Sequence, residues 1–160
     1  MPDTPLLPRL RQDPAMPPLP ARIVAFCQSP GSPLDRHIAM LIGQGIHVTI
    51  VPLRHVPLEW FDRYATSHDL ALVDADFLGD KFAMIDFGMR LRRYSPGLPV
   101  IMLSSRVAAS DRSTERMAFC DITLRLPADG DDVAAALPLA MENHAYWRDS
   151  RDAARAMPRA

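Results

Sequence analysis

The stretch from Asp69 to Ser105 decides the fold, because two of its segments have the pattern of buried strands that end in polar residues. The first, DLALVDADF (69–77), is an apolar run between acids, and the second, GLPVIMLSS (97–105), is an apolar run ending in serines. Continuous apolar runs are typical of parallel strands covered on both faces. A helical pattern from about 80 to 95 separates them. The stretch therefore predicts a strand, a helix and a second parallel strand.

Outward from this stretch, the same alternation continues in both directions. Five strands alternating with helices predict an α/β fold, a doubly wound five-stranded parallel sheet in a three-layer sandwich. We expect the strand order 2-1-3-4-5, with the working site at the carboxyl ends of the strands. The other predicted strands are 22–27, 46–51 and 121–126, and the other predicted helices are 32–45, 58–65, 110–118 and 131–148.

Two of these helices have features of their own. The helix over 80–95 has an apolar face formed by Phe82, Ile85 and Met89, with Met84, Gly88 and Leu91 beside them. In the last helix Val133, Leu137, Ala140, His144 and Trp147 share a stripe. Pro138 lies inside this helix and lacks a backbone donor, so we expect it to kink or split the helix.

The 160 residues predict one compact domain at 21–148 with an extension at each end. Seven of the 16 prolines fall within 1–20, which predicts an extended, disordered arm. That arm is either a simple leader or a polyproline-type strap for a partner. Residues 149–160 are charged and alanine-rich and predict a fraying helix followed by a tail.

Composition excludes several classes of protein. Nearly half of the residues are apolar and the net charge is -1, so no global field attracts nucleic acid or a membrane, and no DNA-binding domain is predicted. No apolar run approaches the roughly 20 residues that span a bilayer, and we expect a cytoplasmic protein. Cys27 and Cys120 lie far apart and are expected to be buried thiols. The five histidines are scattered and receive no role, and Lys81 is the only lysine.

Motifs of enzymes are absent from the sequence. No GxGxxG follows a strand, and neither GxxxxGK[ST] nor GxSxG occurs. No nucleophile is accompanied by a base and an orienting group, so we expect no catalytic activity.

Residues 21–148 resemble the receiver domains of response regulators, with a flavodoxin-like fold. The resemblance is carried by DLALVDADF and GLPVIMLSS. It matches Asp74 to the phosphate-accepting aspartate, Ser104 to the hydroxyl residue that follows the phosphoryl group, and Leu126-Pro127 to the lysine-proline pair after the fifth strand. It implies a module of a two-component signalling system.

The departures from that family pattern lie at the residues that handle charge. Cys27 and Gln28 stand where the family has an acidic pair for Mg²⁺, and a thiol and an amide are poor ligands for this ion. Leu126 replaces the lysine and Thr123 replaces the switch aromatic. We therefore expect weak or absent Mg²⁺ binding and no obligatory cofactor. Asp74 is either a residual phosphate acceptor or an acid that caps a loop.

The resemblance and its departures together predict an atypical receiver that binds another signalling protein, such as a histidine kinase or an effector. The expected contact or homodimer surface is the fourth helix (110–118) with the fifth strand and fifth helix. Two alternatives remain. One is a response regulator phosphorylated on Asp74, and the other is a cyclic-dinucleotide sensor that uses Arg106, Arg112 and Arg116, since arginine forks suit phosphate.

Overall fold

A computed structural model describes residues 19–156 of the chain, so nearly all of the predicted arm lies outside the described residues. Five parallel strands form one sheet in the order β2-β1-β3-β4-β5, which confirms the predicted topology. The strands are β1 (Arg22–Phe26), β2 (His47–Val51), β3 (Leu70–Asp74), β4 (Val100–Ser104) and β5 (Ile122–Arg125).

Helices cover both faces of this sheet. They are α1 (Asp35–Gly43), α2 (Leu58–Arg63), α3 (Ala75–Leu78), α4 (Lys81–Tyr94) and α5 (Gly130–Ala156), with 3-10 turns at Ala65–Ser67 and Thr114–Arg116. Within residues 19–156, no helix is both long enough and apolar enough to cross a membrane.

The alternating side chains of the strands supply two separate cores. Leu72 and Leu103 belong to the core beneath α1 and α5, whereas their neighbours Val73 and Met102 belong to the core beneath α2 and α4. Successive strand side chains point to opposite faces, so a strand that is apolar at every position fills both layers. The continuous apolar runs in the sequence follow from this two-sided burial.

The apolar face predicted for the helix over 80–95 is wrong in its orientation. Met84, Phe87 and Leu91 are buried in α4, whereas Phe82 is 80% exposed and Met89 is 54% exposed. Apolar residues occupy two adjacent stripes of this helix, so its sequence alone leaves the buried stripe undecided. Gly88 decides it, because a side chain there would collide with the Phe119 backbone that lies against α4.

The predicted fourth helix at 110–118 does not form as an α-helix, although residues 105–121 are all described. Asp111 instead pairs with Thr123 as an antiparallel bridge at the edge of β5. The Asp111 carboxylate also accepts hydrogen bonds from the backbone and the hydroxyl of Ser113. Short polar side chains that bond to nearby backbone compete with helix formation, and here they stabilise a loop.

The last helix is longer than predicted. It is a single element that passes through Pro138 without being split and extends to Ala156, through most of the predicted tail. Val133, Leu137 and Ala140 are buried on both sides of the proline. Their packing on the sheet holds the helix together where proline removes a hydrogen bond.

A buried charged network ties the amino ends of β4 and β5 to the two long helices. The Arg92 guanidinium lies 2.7 Å from the Asp121 carboxylate, and both side chains are almost completely buried. His144 accepts a 2.8 Å hydrogen bond from Arg92 at Nδ1 and donates through Nε2 to the Pro96 carbonyl. His144, which received no role from the sequence, has a structural one in this network. These residues link α4 and α5 through the core.

Candidate functional site

Three strands deliver the principal predicted site residues to one edge of the sheet. Cys27 follows β1, Asp74 ends β3 and Ser104 ends β4, and all three side chains are buried. The register pairs Asp74 with Leu103, so Asp74 and Ser104 lie at the carboxyl ends of adjacent strands. Gln28 follows Cys27 at the same edge and is exposed. The predicted shared edge is present, at the place where wound sheets bind their ligands.

Asp74 is held in place by hydrogen bonds to both of its carboxylate oxygens. Oδ1 accepts a 3.3 Å bond from the Phe77 backbone N–H and caps α3, while Oδ2 accepts a long 3.5 Å bond from the Ser32 hydroxyl. Burial raises the pKa of the Asp74 carboxyl, and the nearby Asp76 charge adds to this increase. The charged form of Asp74 is therefore poorly stabilised at this edge.

Ser104 turns away from Asp74 and contacts Asp76. The Ser104 hydroxyl donates a 2.6 Å hydrogen bond to Asp76 Oδ1, and Ser105 donates to Oδ2 through its backbone N–H at 2.8 Å and its hydroxyl at 2.6 Å. Burial acts to raise the pKa of Asp76, but these hydrogen bonds and the Arg106 charge lower it overall. Sequence reasoning assigned Asp76 no part in the site, yet it is the carboxylate to which the switch-position hydroxyl is bound.

Arg106 closes the contact between the loop after β4 and the turn after β3. Its guanidinium donates to the backbone carbonyls of Gly79 and Asp76 and lies 3.7 Å from the Asp76 carboxylate. A cavity of about 240 Å³ lies beside this contact. The loop that replaces the predicted fourth helix is thus attached to the carboxyl edge by a charged side chain.

Comparison with solved structures places this edge in a known fold. A CheY-like receiver domain protein from Methanospirillum hungatei JF-1 superposes with a TM-score of 0.59 and 19% identity, over 78% of this chain and 96% of that one. A receiver domain protein from Clostridium thermocellum gives 0.58 and 19%, over 79% and 98%. The chain has a receiver-like fold. Neither a protein-family model nor a curated protein matches its sequence.

A third structure shows that the same fold occurs under another description. A Burkholderia pseudomallei K96243 protein, provisionally described as pilus assembly-related, has a TM-score of 0.54 and 20% identity, over 76% of this chain and 90% of that one. Identities this low establish the receiver-like fold alone. Conclusions about the site therefore depend on this chain's own residues.

The acidic pair that would hold Mg²⁺ in a receiver is not reproduced by the residues of this edge. Burial raises the pKa of the Cys27 thiol, so this sulfur stays protonated, and a neutral thiol is a poor ligand for a hard cation. Asp35 is the nearest acid on α1, but its carboxylate is occupied by the Ser29 hydroxyl and the Gly31 backbone N–H. The donor set does not fit the ion.

The two positions that follow β5 are apolar where the resemblance would have a cation. Leu126 is buried, and its backbone N–H donates to the Ser104 carbonyl, so its side chain stands near the edge without charge. Pro127, joined to it by a cis peptide bond, is exposed. Thr123 is fully buried, and its hydroxyl lies 3.5 Å from the Cys120 sulfur. Thr123 is thus part of the core, and the Arg116 guanidinium also lies 3.4 Å from its hydroxyl.

The three arginines of the ligand-sensor hypothesis do not form one cluster. Arg112 lies 3.8 Å from Asp132 on α5, and Arg116 lies 3.3 Å from Asp111. Arg106 and Arg116 line the 240 Å³ cavity together with Lys81, whereas Arg112 lies apart from it. The predicted helix that would have aligned Arg112 with Arg116 is missing, which accounts for their separation.

Proposed function

We propose that this chain is an atypical receiver that acts in the cytoplasm as a signalling and protein-interaction module of a two-component system, independently of phosphorylation and without enzymatic turnover. The observation that carries the proposal is the hydrogen bond from Ser104 to Asp76. In a receiver of the family pattern, that hydroxyl follows a phosphoryl group on the acceptor. Here an internal carboxylate already occupies it.

The electrostatics around Asp74 support the same proposal. Transfer of a phosphoryl group needs neighbouring positive charge, because negative charge spreads over its oxygens during the reaction. The side chains that act on the Asp74 carboxyl are the Ser32 hydroxyl, the Cys27 thiol and the Asp76 carboxylate. A neutral or acidic surrounding favours the protonated form of Asp74 and disfavours a phosphorylated one.

The expected partner is another signalling protein, such as a histidine kinase or an effector. The loop 105–121 with β5 and α5 takes the place of the surface predicted around the fourth helix. Arg112 and Arg125 are exposed on this side of the domain. Charged side chains at the rim of a docking face steer association and set specificity more than they set affinity. Charge reversal at Arg112 is therefore expected to weaken partner binding without unfolding the domain.

The deciding experiment compares the wild-type chain with Asp74→Ala. We expect no phosphoryl adduct by intact-mass spectrometry after incubation with acetyl phosphate and Mg²⁺. We also expect Asp74→Ala to retain partner binding within about threefold, under roughly 1 kcal/mol. Arg112→Glu is the companion variant, because it alters the proposed face and leaves the carboxyl edge intact.

A relay component phosphorylated on Asp74 is the second candidate, favoured by the position of this carboxylate at the end of β3. It predicts a labelled wild type, an unlabelled Asp74→Ala chain and loss of signalling output when Asp74 is removed. These outcomes would overturn the phosphorylation-independent proposal. A ligand sensor that uses Arg106 and Arg116 has weaker support, because both guanidinium groups are already paired with protein oxygens.

A further inference from the structure

The outer face of α4 carries two exposed apolar side chains and is not covered by the rest of the described chain. Phe82 is 80% exposed and Met89 is 54% exposed, and Asp86 and Arg93 are exposed beside them. These four positions follow one another at intervals of four, three and four residues, so they form one continuous stripe along the helix. Phe82 and Met89 are thus two exposed apolar residues on one stripe, whereas apolar residues exposed singly are common on protein surfaces.

A groove lies beside the carboxyl-terminal half of the same helix. Its apolar walls come from Val56 and Pro57, which precede α2, and from Met89 and Tyr94 of α4, with Asp86, Arg90 and Arg93 at its margin. Phe82 lies eleven residues before Arg93, which is about 16 Å along a helix. The face therefore carries a projecting aromatic ring at one end and an apolar groove at the other.

We propose that α4 packs antiparallel against the α4 of a second copy of this chain, with the Phe82 ring of each copy in the groove of the other. A two-fold axis through the middle of the helix would bring these two features together twice. Such an isologous interface needs the same surface to carry both complementary elements, as this one does. The dimer face expected from the sequence used the helix at 110–118, which does not form.

The charges on the stripe favour this occupant and this orientation. Asp86 lies in the amino-terminal direction from the two cations, Arg90 and Arg93. Antiparallel pairing brings each Asp86 toward the Arg90 and Arg93 of the second copy, whereas parallel pairing would set like charges opposite each other. Asp86 is bonded to Arg90 within its own chain at 2.8 Å but remains 68% exposed, so its carboxylate can accept further donors. The face is electrostatically complementary to itself.

The contact area limits the strength of this dimer. Because the contact involves only two helices of 14 residues and their flanking grooves, we expect it to bury less than the roughly 1,200–2,000 Å² of a standard stable interface. We therefore expect reversible association with a Kd on the order of 10–100 μM. Sedimentation velocity of the full chain over about a hundredfold range of concentration around that value would measure it.

Two glutamate substitutions test the apolar contacts. Phe82→Glu and Met89→Glu should each keep the chain monomeric at the highest concentration, with unchanged circular dichroism, because both side chains are exposed in the monomer. Phe82→Ser serves as a second variant if Phe82→Glu alters the fold. Tyr146→Glu and Ile42→Glu are matched controls, since both residues are exposed apolar positions on other helices, and both variants should dimerise like the wild type.

A mixing experiment tests the orientation. Asp86→Arg makes the stripe wholly basic, and the double change Arg90→Asp with Arg93→Asp makes it wholly acidic. Each of these chains should be monomeric alone, and an equimolar mixture should form a heterodimer at least as stable as the wild-type dimer.

Three results would overturn the proposal. The first is a wild-type chain that remains monomeric at the highest concentration. The second is a dimer that Tyr146→Glu or Ile42→Glu abolishes as completely as Phe82→Glu does. The third is a mixture of the two charge variants that stays monomeric although both chains are folded. A monomeric chain that loses binding to a different protein on Phe82→Glu would assign the α4 stripe to that protein instead.

Discussion

The Ser104 hydroxyl donates a 2.6 Å hydrogen bond to the carboxylate of Asp76, across the gap between the ends of β4 and β3. Two further donors of Ser105 and the Arg106 guanidinium complete the surroundings of this carboxylate. Asp74, two residues earlier, reaches toward α1 instead and contacts Ser32. At the same edge of the sheet, the pKa of Asp74 is therefore raised and the pKa of Asp76 is lowered. The stability of variants at the two positions can measure this difference.

Asp76→Asn and Asp74→Asn form a matched pair of variants. Asp76→Asn weakens a charge-assisted network of three hydrogen bonds and an ion pair, so we expect a loss of about 1–3 kcal/mol in the free energy of unfolding. Asp74→Asn removes a poorly stabilised buried charge and should leave stability unchanged or raise it by about 1 kcal/mol. Urea denaturation measures both, and a larger loss for Asp74→Asn than for Asp76→Asn would contradict the assignment.

Lowering the pH should remove the contribution that ionised Asp76 makes to the free energy of unfolding of the wild type. The folded-state pKa of Asp76 lies below its unfolded value, so its contribution is present above the unfolded pKa and is lost as pH falls through the folded pKa. The stability difference between the wild type and Asp76→Asn should therefore shrink between about pH 5 and about pH 2. Asp74 is present in both chains and its raised pKa comes mainly from burial, so its titration largely cancels in this difference. A difference that stays constant over this range would refute the ionised Asp76.

Magnesium should bind the wild-type chain no better than millimolar, because protein donors occupy the carboxylates of Asp35 and Asp76, which leaves the poorly stabilised Asp74 carboxylate beside a protonated thiol. Replacing Cys27 and Gln28 by aspartate should tighten binding at least about tenfold, or roughly 1.4 kcal/mol, by isothermal titration calorimetry. The same double change in an Asp74→Ala background is the control and should gain less. Sub-millimolar affinity of the wild type would show that the edge holds the ion through other ligands.

The buried network at the opposite edge should dominate stability. Asp121→Ala leaves the Arg92 guanidinium buried without its carboxylate, and such a loss costs about 3–5 kcal/mol. Asp86→Ala removes an exposed pair with Arg90 on the same helix and should cost less than about 0.5 kcal/mol. Chemical denaturation compares the two variants. Equal effects would mean that solvent or another acceptor compensates the Arg92 guanidinium in the folded state.

The topology and the position of the carboxyl edge follow from the pattern of apolar runs along the chain. Uninterrupted apolar runs such as 70–73 and 100–103 need burial on both sides, which only a covered parallel sheet provides. The order of these runs and of the helices between them limits the topology to very few choices. Asp74 and Ser104 follow such runs directly, so their common edge was predictable from the chain alone.

Three features depend on long-range packing: the contacts of Asp76, the buried stripe of α4 and the loop 105–121. Asp76 contacts Ser104 because β3 and β4 end side by side in the sheet. The spacing of residues along the chain does not show how close these two side chains lie in the fold. The stripe of α4 depends on the Phe119 backbone fitting against Gly88. The loop depends on Asp111 pairing with Thr123 in preference to its own helical partners. In each case a long-range contact outweighed a local preference of similar size, which is why the sequence pattern left it undecided.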